Sequence, residues 1–298
     1  MKWILQCFFL LILTCSTFCF LNAQNLQLNA EQKQAIAYID SVENLNQSIY
    51  WPKVKPQSFI RNIRENVKNP LLLYAGSNTN FCGYAAMSYS CISNYPLHYV
   101  EFMMKLYING VADFRDIQFT PSNNIKQTAG LLKFKGELDI HPADQIWFLT
   151  LADHFKGYLN WLFPKYHQDD ENGFWASTNF AKFNRMIKKM CNYEVHSVGS
   201  DLIKPSIEDI PKFLNEKLAS NHQVFIYLNN TVFHKKNHTA VKRRIPTHFI
   251  VLFSVTEIDD MINLVYWDYG FKTLRQISTT TFKDIVFGIT WCKKNTQE

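Results

Sequence analysis

The cysteines of this chain lack the spacing of a zinc site and, after the N-terminal run, the number for a small disulfide scaffold. The 298 residues include seven cysteines, three of them in an apolar run at the N-terminus. No CxxC pair and no cysteine–histidine spacing typical of a zinc site is present. The remaining four cysteines are too few for a small disulfide scaffold. We therefore expect Cys91, Cys191 and Cys292 to be buried as small apolar side chains.

Internal repeats, low-complexity blocks and an excess of charge are also lacking. Charged residues make up 19% of the chain, and the formal net charge is only +6. Nothing here predicts nucleic-acid binding, and no pattern indicates an oligomeric state. The 24 Phe, 14 Tyr and 7 Trp supply enough apolar surface for a large folded core, so disorder is not expected.

The first residues have the pattern of an export signal. Lys2 is followed by a mostly apolar run from Trp3 to Leu21, and Ala23 supplies a small residue for cleavage. We predict a signal peptide over residues 1–23 and a secreted, periplasmic or cell-surface protein over 24–298. Two alternatives stay open, namely an uncleaved membrane anchor and a lipoprotein modified at Cys15.

Helical patterns come first along the chain and strand patterns later. Helices are expected at about 29–45, 57–67, 82–92, 96–108, 142–163, 178–190 and 206–219. Runs rich in β-branched and aromatic residues then predict strands at about 223–228, 248–255, 261–267, 273–277 and 287–291. This order predicts an α+β fold with a C-terminal antiparallel sheet. We treat 24–298 as one domain, with residues of about 95–190 as a helical insertion.

Three residues lie at positions that suit a nucleophilic cysteine and the two groups that activate it. Cys82 should open a helix after a polar loop, where the helix N-terminus favours the thiolate. His248 begins a strand and Asp268 ends the next one. A tight turn at Asp259-Asp260 would bring these two side chains to the same end of the sheet. A base beside the thiol and a polar group orienting that base complete the arrangement.

These segments resemble the papain-like cysteine peptidases, most closely the bacteriocin-processing, double-glycine-type group. The resemblance rests on the helix start Cys82-Gly83-Tyr84-Ala85-Ala86, the strand from His248 to Leu252, and Tyr266-Trp267-Asp268. It covers mainly residues 74–93 and 206–291, and the helical middle has no counterpart. It implies a papain-like fold, with the nucleophile helix packed on the C-terminal sheet. It also implies peptide or amide cleavage by Cys82, His248 and Asp268, without a cofactor.

One position departs from that family. Its members carry a Gln about six residues before the nucleophile, where it donates a hydrogen bond to the oxyanion, and this chain has Gly76 there. Asn78 or Asn80 is the expected replacement, with the Cys82 backbone N–H as the second donor. The departure keeps open a catalytically silent binding protein on the same fold. A transglutaminase-like acyl transferase ranks third, because Gly83 stands where that family has Trp.

Two further segments carry expectations. The basic cluster (Lys235, Lys236, Lys242, Arg243 and Arg244) precedes His248, so it could steer an acidic substrate or propeptide into the cleft. An apolar stripe is expected to be core. It consists of Ile146, Trp147, Leu149, Leu151, Phe155, Tyr158 and Trp161.

Overall fold

The structure is a computed structural model that describes residues 27–42, 44–133, 135–136, 138–233 and 245–295. The predicted signal peptide and the basic cluster lie outside these residues. Among the helices of the described part, none has both the length and the apolar character needed to cross a bilayer.

The described residues form nine α-helices and eight β-strands, numbered here in chain order. The helices are α1 (Ala30–Ser41), α2 (Pro56–Lys68), α3 (Cys82–Asn94), α4 (Pro96–Asn109), α5 (Asn123–Thr128), α6 (Pro142–His154), α7 (Phe180–Cys191), α8 (Ile210–Ala219) and α9 (Thr279–Ile285). The strands are β1 (Ala112–Phe114), β2 (Ile117–Phe119), β3 (Tyr193–Gly199), β4 (Gln223–Leu228), β5 (His248–Ile258), β6 (Met261–Asp268), β7 (Phe271–Ser278) and β8 (Val286–Lys294).

The predicted α+β class is confirmed, because one antiparallel sheet of six strands carries the C-terminal half. Its strand order is β3-β8-β4-β5-β6-β7, and β1 with β2 forms a separate small hairpin. The turn at Asp259-Asp260 is also confirmed. Both residues have positive φ, at 49° and 61°, which a two-residue hairpin turn of type I′ requires.

Helices cover both faces of the sheet. Phe225, Phe249 and Trp267 point into the larger core, together with residues of α1 to α4, α6 and α7. On the other face, α8 and α9 cover a smaller core that includes Ile226 and Ile250. The alternation of β4 and β5 between the two cores explains why both strands are apolar along their length.

The N-terminal segment of described residues belongs to the larger core. Asn29 and Gln32 form the capping box that starts α1, as the sequence predicts, although α1 ends at Ser41 and not near Leu45. The Trp51 indole is fully buried and donates to the Leu106 carbonyl at 2.7 Å.

Two more helix bounds differ from those expected, and three strands were not expected. The helix predicted over 142–163 ends at His154, because Phe155 turns extended and Gly157 follows it. The last helix before the sheet starts at Ile210, with Asp209 rather than Ser206 as its cap. The strand β3 and the hairpin β1–β2 were not expected, since neither has a strong alternating pattern.

Cys91 and Cys191 are buried, as the sequence predicts, and the structure adds a pairing between them that the sequence did not indicate. They form a disulfide that joins α3 to the end of α7 across 100 residues of sequence. Cys292 is buried and free, as expected, and Cys82 is the other free cysteine of the described residues.

Candidate functional site

His248 and Asp268 meet at one end of the sheet. The His248 Nε2 and Asp268 Oδ1 atoms are 2.7 Å apart, and both side chains are buried. β5 and β6 pair antiparallel from the Asp259-Asp260 turn onward, with a one-residue shift of register between Leu252 and Ser254. The hairpin therefore places the start of β5 beside the end of β6, as the sequence predicts.

Cys82 is the first residue of α3 and is half-buried. Its thiol lies 3.8 Å from the Thr247 carbonyl oxygen and in hydrogen-bond contact with the His248 side chain. Gly83 makes this approach possible, because a Cβ there would lie 2.8 Å from Thr178 and 3.2 Å from the Phe249 ring. The structure thus brings Cys82, His248 and Asp268 together.

The imidazole of His248 is held in its charged form. Burial by itself lowers the pKa of His248, but the Asp268 carboxylate and the contact with Cys82 raise it to about 10. At neutral pH the site therefore contains an imidazolium beside the thiol.

Tyr269 is a site residue that the sequence reasoning missed. Its ring stacks on the His248 ring with centroids 4.7 Å apart, and its hydroxyl lies 3.3 Å from His248 Nδ1. Burial, followed by the nearby Cys82 and Asp268, raises the pKa of Tyr269, so the phenol stays protonated.

Tyr269 has an unusual backbone conformation, which the residue types Asp268-Tyr269-Gly270 alone do not reveal. Tyr269 has a φ of 46°, a left-handed conformation that is unfavourable for an aromatic residue. An Asn would suit this turn position better. A bulky residue that persists in such a turn is a mark of function, and here the turn brings the ring onto His248.

The loop before the nucleophile explains the absence of Gln at position 76. Gly76 has a φ of 82°, and a Cβ there would lie 2.7 Å from the Lys135 carbonyl oxygen. A longer side chain could be accommodated only if the two loops moved apart. The conformation of this loop therefore requires glycine.

The two expected replacement donors lie in different settings. The Asn80 amide nitrogen donates to the carbonyls of Asn172 and Gly173 at 2.8 and 2.9 Å, which directs its N–H groups into the neighbouring loop. Asn78 is exposed, and its backbone N–H donates to the Lys135 carbonyl. Asn80 also lines a cavity beside Cys82, so it stays close to the thiol.

This cavity, called the Cys82 cavity below, has a volume of about 340 Å³. Its walls come from the loop after α6, from the segment after β3 and from the residues just before His248. The lining residues are Asn80, Cys82, Tyr158, Leu159, Phe174, Ser177, Thr178, Asp201, Leu202, Tyr227, Ile245, Pro246 and Thr247.

The apolar stripe, which was expected to lie in the core, is buried in its first part and exposed in the part beside this cavity. Its members from Ile146 to Phe155 are buried, but Tyr158 and Trp161 are 60% and 80% exposed. The prediction is wrong for these two residues because α6 ends at His154, so the helical period no longer applies to them.

Lys182 on α7 organises the loop wall of the cavity from beneath. Its buried Nζ atom donates to the Tyr84 hydroxyl at 2.5 Å, the Ser177 carbonyl at 2.9 Å and Asn160 Oδ1 at 3.0 Å. Burial lowers the pKa of Lys182 to about 6, and nearby Lys156 and Arg185 contribute. Asn160 in turn donates to the carbonyls of residues 174, 175 and 177.

No group of three or more His, Cys, Asp or Glu side chains that could hold a metal ion occurs in the described ranges. No protein-family model matches the chain, and comparison with curated proteins found no match either. The geometry alone therefore defines the class to be considered. This is an α+β protein in which a half-buried thiol at a helix start lies beside a buried imidazole–carboxylate pair.

Proposed function

We propose that this protein is a papain-like cysteine hydrolase that cleaves a peptide or amide bond with Cys82, His248 and Asp268. One observation carries the proposal. A thiol, an imidazole and a carboxylate that are distant in sequence converge, with the His248–Asp268 pair buried at 2.7 Å and Cys82 in contact with the imidazole. The resemblance seen in the sequence supports the same assignment.

The proposed reaction begins with attack of the Cys82 sulfur on the substrate carbonyl carbon. Nε2 of His248 faces Asp268, which leaves Nδ1 to carry the proton that the thiol gives up. That proton passes to the leaving amine as the carbon–nitrogen bond breaks and a thioester forms. Water then attacks the thioester, with His248 taking one proton, and the acid product leaves as Cys82 is regenerated.

The oxyanion would be bound by groups at the start of α3 and around it. The first helical hydrogen bond runs from Ala85 N to Phe81 O, so the backbone N–H groups of Cys82 and Gly83 have no partner within the helix. The second donor stays assigned to Asn78 or Asn80, as predicted from the sequence, and Asn80 would have to release the Asn172 and Gly173 carbonyls to act as that donor. The Tyr269 hydroxyl, 3.3 Å from His248 Nδ1, would accept from the protonated imidazole and keep its own proton to donate to the oxyanion.

Export to an oxidising compartment is part of the proposal. The Cys91–Cys191 disulfide supports it, because structural disulfides persist mainly in exported proteins. The steering of acidic substrates by the basic cluster also stays a proposal, since those residues lie outside the described part of the chain.

The test is the rate at which iodoacetamide alkylates each cysteine at pH 6, followed by peptide mapping. We expect Cys82 to react at least about tenfold faster than an ordinary thiol, whose pKa of about 8.5 leaves little thiolate at that pH. Buried Cys292 should stay unmodified, which shows that the protein remains folded during the reaction. His248→Ala should remove the advantage at pH 6 and leave Cys82 reacting at the rate of an ordinary thiol above pH 9. A Cys82 that reacts only at alkaline pH would refute the proposal.

A catalytically silent binding protein is the second candidate. It is favoured by the glycine required at position 76 and by the Asn80 amide, whose donors face the neighbouring loop. The two candidates separate in a peptide-library digest with Cys82→Ala as the control. Cleavage that depends on Cys82 supports the hydrolase, whereas an activated thiol without any cleavage supports the binding protein.

A further inference from the structure

The position of the Cys82 cavity relative to His248 and its partners indicates which half of a substrate the cavity binds. In the proposed reaction the leaving amine must meet the protonated His248, and the acyl half stays bonded to the Cys82 sulfur. Asp268 and Tyr269, the partners of the imidazole, are not among the residues that line the cavity. The cavity instead opens past Thr247, whose carbonyl oxygen is 3.8 Å from the sulfur. It therefore receives the acyl half.

The rim of the cavity is apolar and exposed. Tyr158, Phe174, Leu202 and Ile245 line it and are between 56% and 87% exposed. Phe163 extends this surface by stacking on Phe174, with ring centroids 6.1 Å apart. Contiguous exposed apolar side chains on a monomer mark a binding surface more often than chance packing does.

The apolar wall is fixed in advance of binding. Lys182 and Asn160 hold the carbonyls of residues 174, 175 and 177, and Asn80 donates to those of Asn172 and Gly173. A loop ordered by buried polar groups does not have to be ordered again when the ligand arrives, so more of the burial energy appears as affinity.

Among the described residues that line the cavity there is one carboxylate, and it is already compensated. Asp201 accepts the Phe180 N–H at 3.0 Å, at the start of α7, where the helix dipole also favours negative charge. The hydroxyls of Tyr158 and Tyr227 hydrogen-bond to the same carboxylate. A basic ligand side chain would have to compete with these partners, whereas an apolar one gains contact with the rim.

We propose that the Cys82 cavity binds a large apolar side chain, such as Leu or Phe, on the acyl side of the bond that is cleaved. This inference rests on the proposed hydrolase function for the identity of the acyl side. It predicts a substrate class different from one in which glycine precedes the cleaved bond.

The test uses peptidyl chloromethyl ketones whose last residue is Phe, Leu, Lys, Glu or Gly. Their alkylation rates at Cys82 are divided by the iodoacetamide rate of the same protein, which separates recognition from the reactivity of the thiol. We expect the Phe and Leu reagents to react about 10- to 100-fold faster than the Gly and Lys reagents. Leu202→Asp should remove most of this preference, and Leu274→Asp, a change at another exposed leucine, on β7, should leave it intact.

A second readout needs no chemistry at residue 82. Calorimetry on the Cys82→Ala protein should show tighter binding of peptides ending in Phe than of those ending in Lys, and Leu202→Asp should abolish the difference. A preference for Lys would assign the recognition to Asp201, and a preference for Gly, or none, would also overturn the inference. If iodoacetamide shows an unactivated Cys82, the hydrolase proposal fails, and the calorimetric comparison alone decides whether the cavity takes apolar side chains.

Discussion

His248 and Asp268 lie on paired strands, whereas the wall of the Cys82 cavity consists of loops held by buried polar side chains. On the strand side, backbone pairing from the Asp259-Asp260 turn onward sets the geometry. On the loop side, Lys182 and Asn160 do so through hydrogen bonds to carbonyl oxygens. The comparison shows that residues near one another in sequence set the position of a side chain along paired strands. The conformation of a loop depends instead on side chains from elsewhere in the chain.

The two sides also differ in the sign of their response to pH. The pKa of His248 is raised to about 10, so its contribution to stability is complete below its unfolded value of 6.5 and is lost as the pH rises through 10. The pKa of Lys182 is lowered to about 6. Between pH 6 and 10.5 this amine is therefore protonated in the unfolded chain but not in the folded protein. Stability from Lys182 therefore rises with pH between 6 and 10.5.

The largest expected effect comes from breaking the strand side with Asp268→Asn. We expect turnover to fall about a thousandfold or more, because the imidazole loses the group that orients it. The free energy of unfolding should fall by about 3–5 kcal/mol at pH 6, since a buried imidazolium loses its counter-charge. This deficit should shrink as the pH rises from 6.5 to 10. Denaturant titration over that range measures it.

Asp260→Asn is the matched control for that change, since Asp260 is exposed in the turn of the same hairpin. It should leave turnover and stability unchanged at every pH. An Asp268→Asn protein with full turnover would show that the pairing of the two strands has no part in the chemistry.

The second-largest effect is expected from removing the Tyr269 hydroxyl, which lies near the imidazole. Tyr269→Phe keeps the ring on His248 and removes the donor near Nδ1. We expect kcat to fall about 10- to 100-fold with KM nearly unchanged. The unfolding free energy should move by less than about 0.5 kcal/mol. A higher KM, or a large loss of stability with normal kcat, would show instead that Tyr269 only fills space.

Breaking the loop side should leave the thiol active. Lys182→Met leaves three buried acceptors without their donor, which should lower the unfolding free energy by about 1–2 kcal/mol. The loss should be largest near pH 10 and should shrink toward pH 6, opposite to the trend for Asp268→Asn. The preference for apolar peptides should weaken, while iodoacetamide reactivity at pH 6 should change by less than about threefold.

Lys188→Met serves as the control for this prediction, because Lys188 is exposed on the same helix. Its stability should follow that of the unsubstituted protein across the pH range. If Lys182→Met and Asp268→Asn shared one pH trend, the contrast between the two sides would be wrong.

The smallest expected effect tests the basic cluster, Lys235, Lys236, Lys242, Arg243 and Arg244. If it steers acidic substrates, raising the salt concentration from about 0.05 to 0.5 M should increase KM for an acidic peptide about threefold. An uncharged peptide of the same length should show no change. Equal salt responses for both peptides would remove charge steering from the description of the cleft.

Sequence reasoning succeeded where the pattern was local. The strands β4 to β7, the Asp259-Asp260 turn and the starts of α1 and α3 were all foreseen, because each follows from residues within one or two turns of one another. It failed for Tyr158 and Trp161, which continue the apolar period of α6 after that helix has ended. Tyr269 was passed over because its turn conformation, and not its residue type, carries the signal.

The amino-acid sequence by itself determined the helix that begins at Cys82, the apolar strand that begins at His248 and the hairpin that returns to Asp268. Only the tertiary structure decided that Cys82 lies against Thr247 across 165 residues of sequence, and that Cys91 pairs with Cys191 across 100. The physical reason is the sequence separation over which each kind of interaction acts. Turns and ladders obey the conformational preferences of adjacent residues, whereas these contacts form only when the larger core packs α3 and α7 against the sheet.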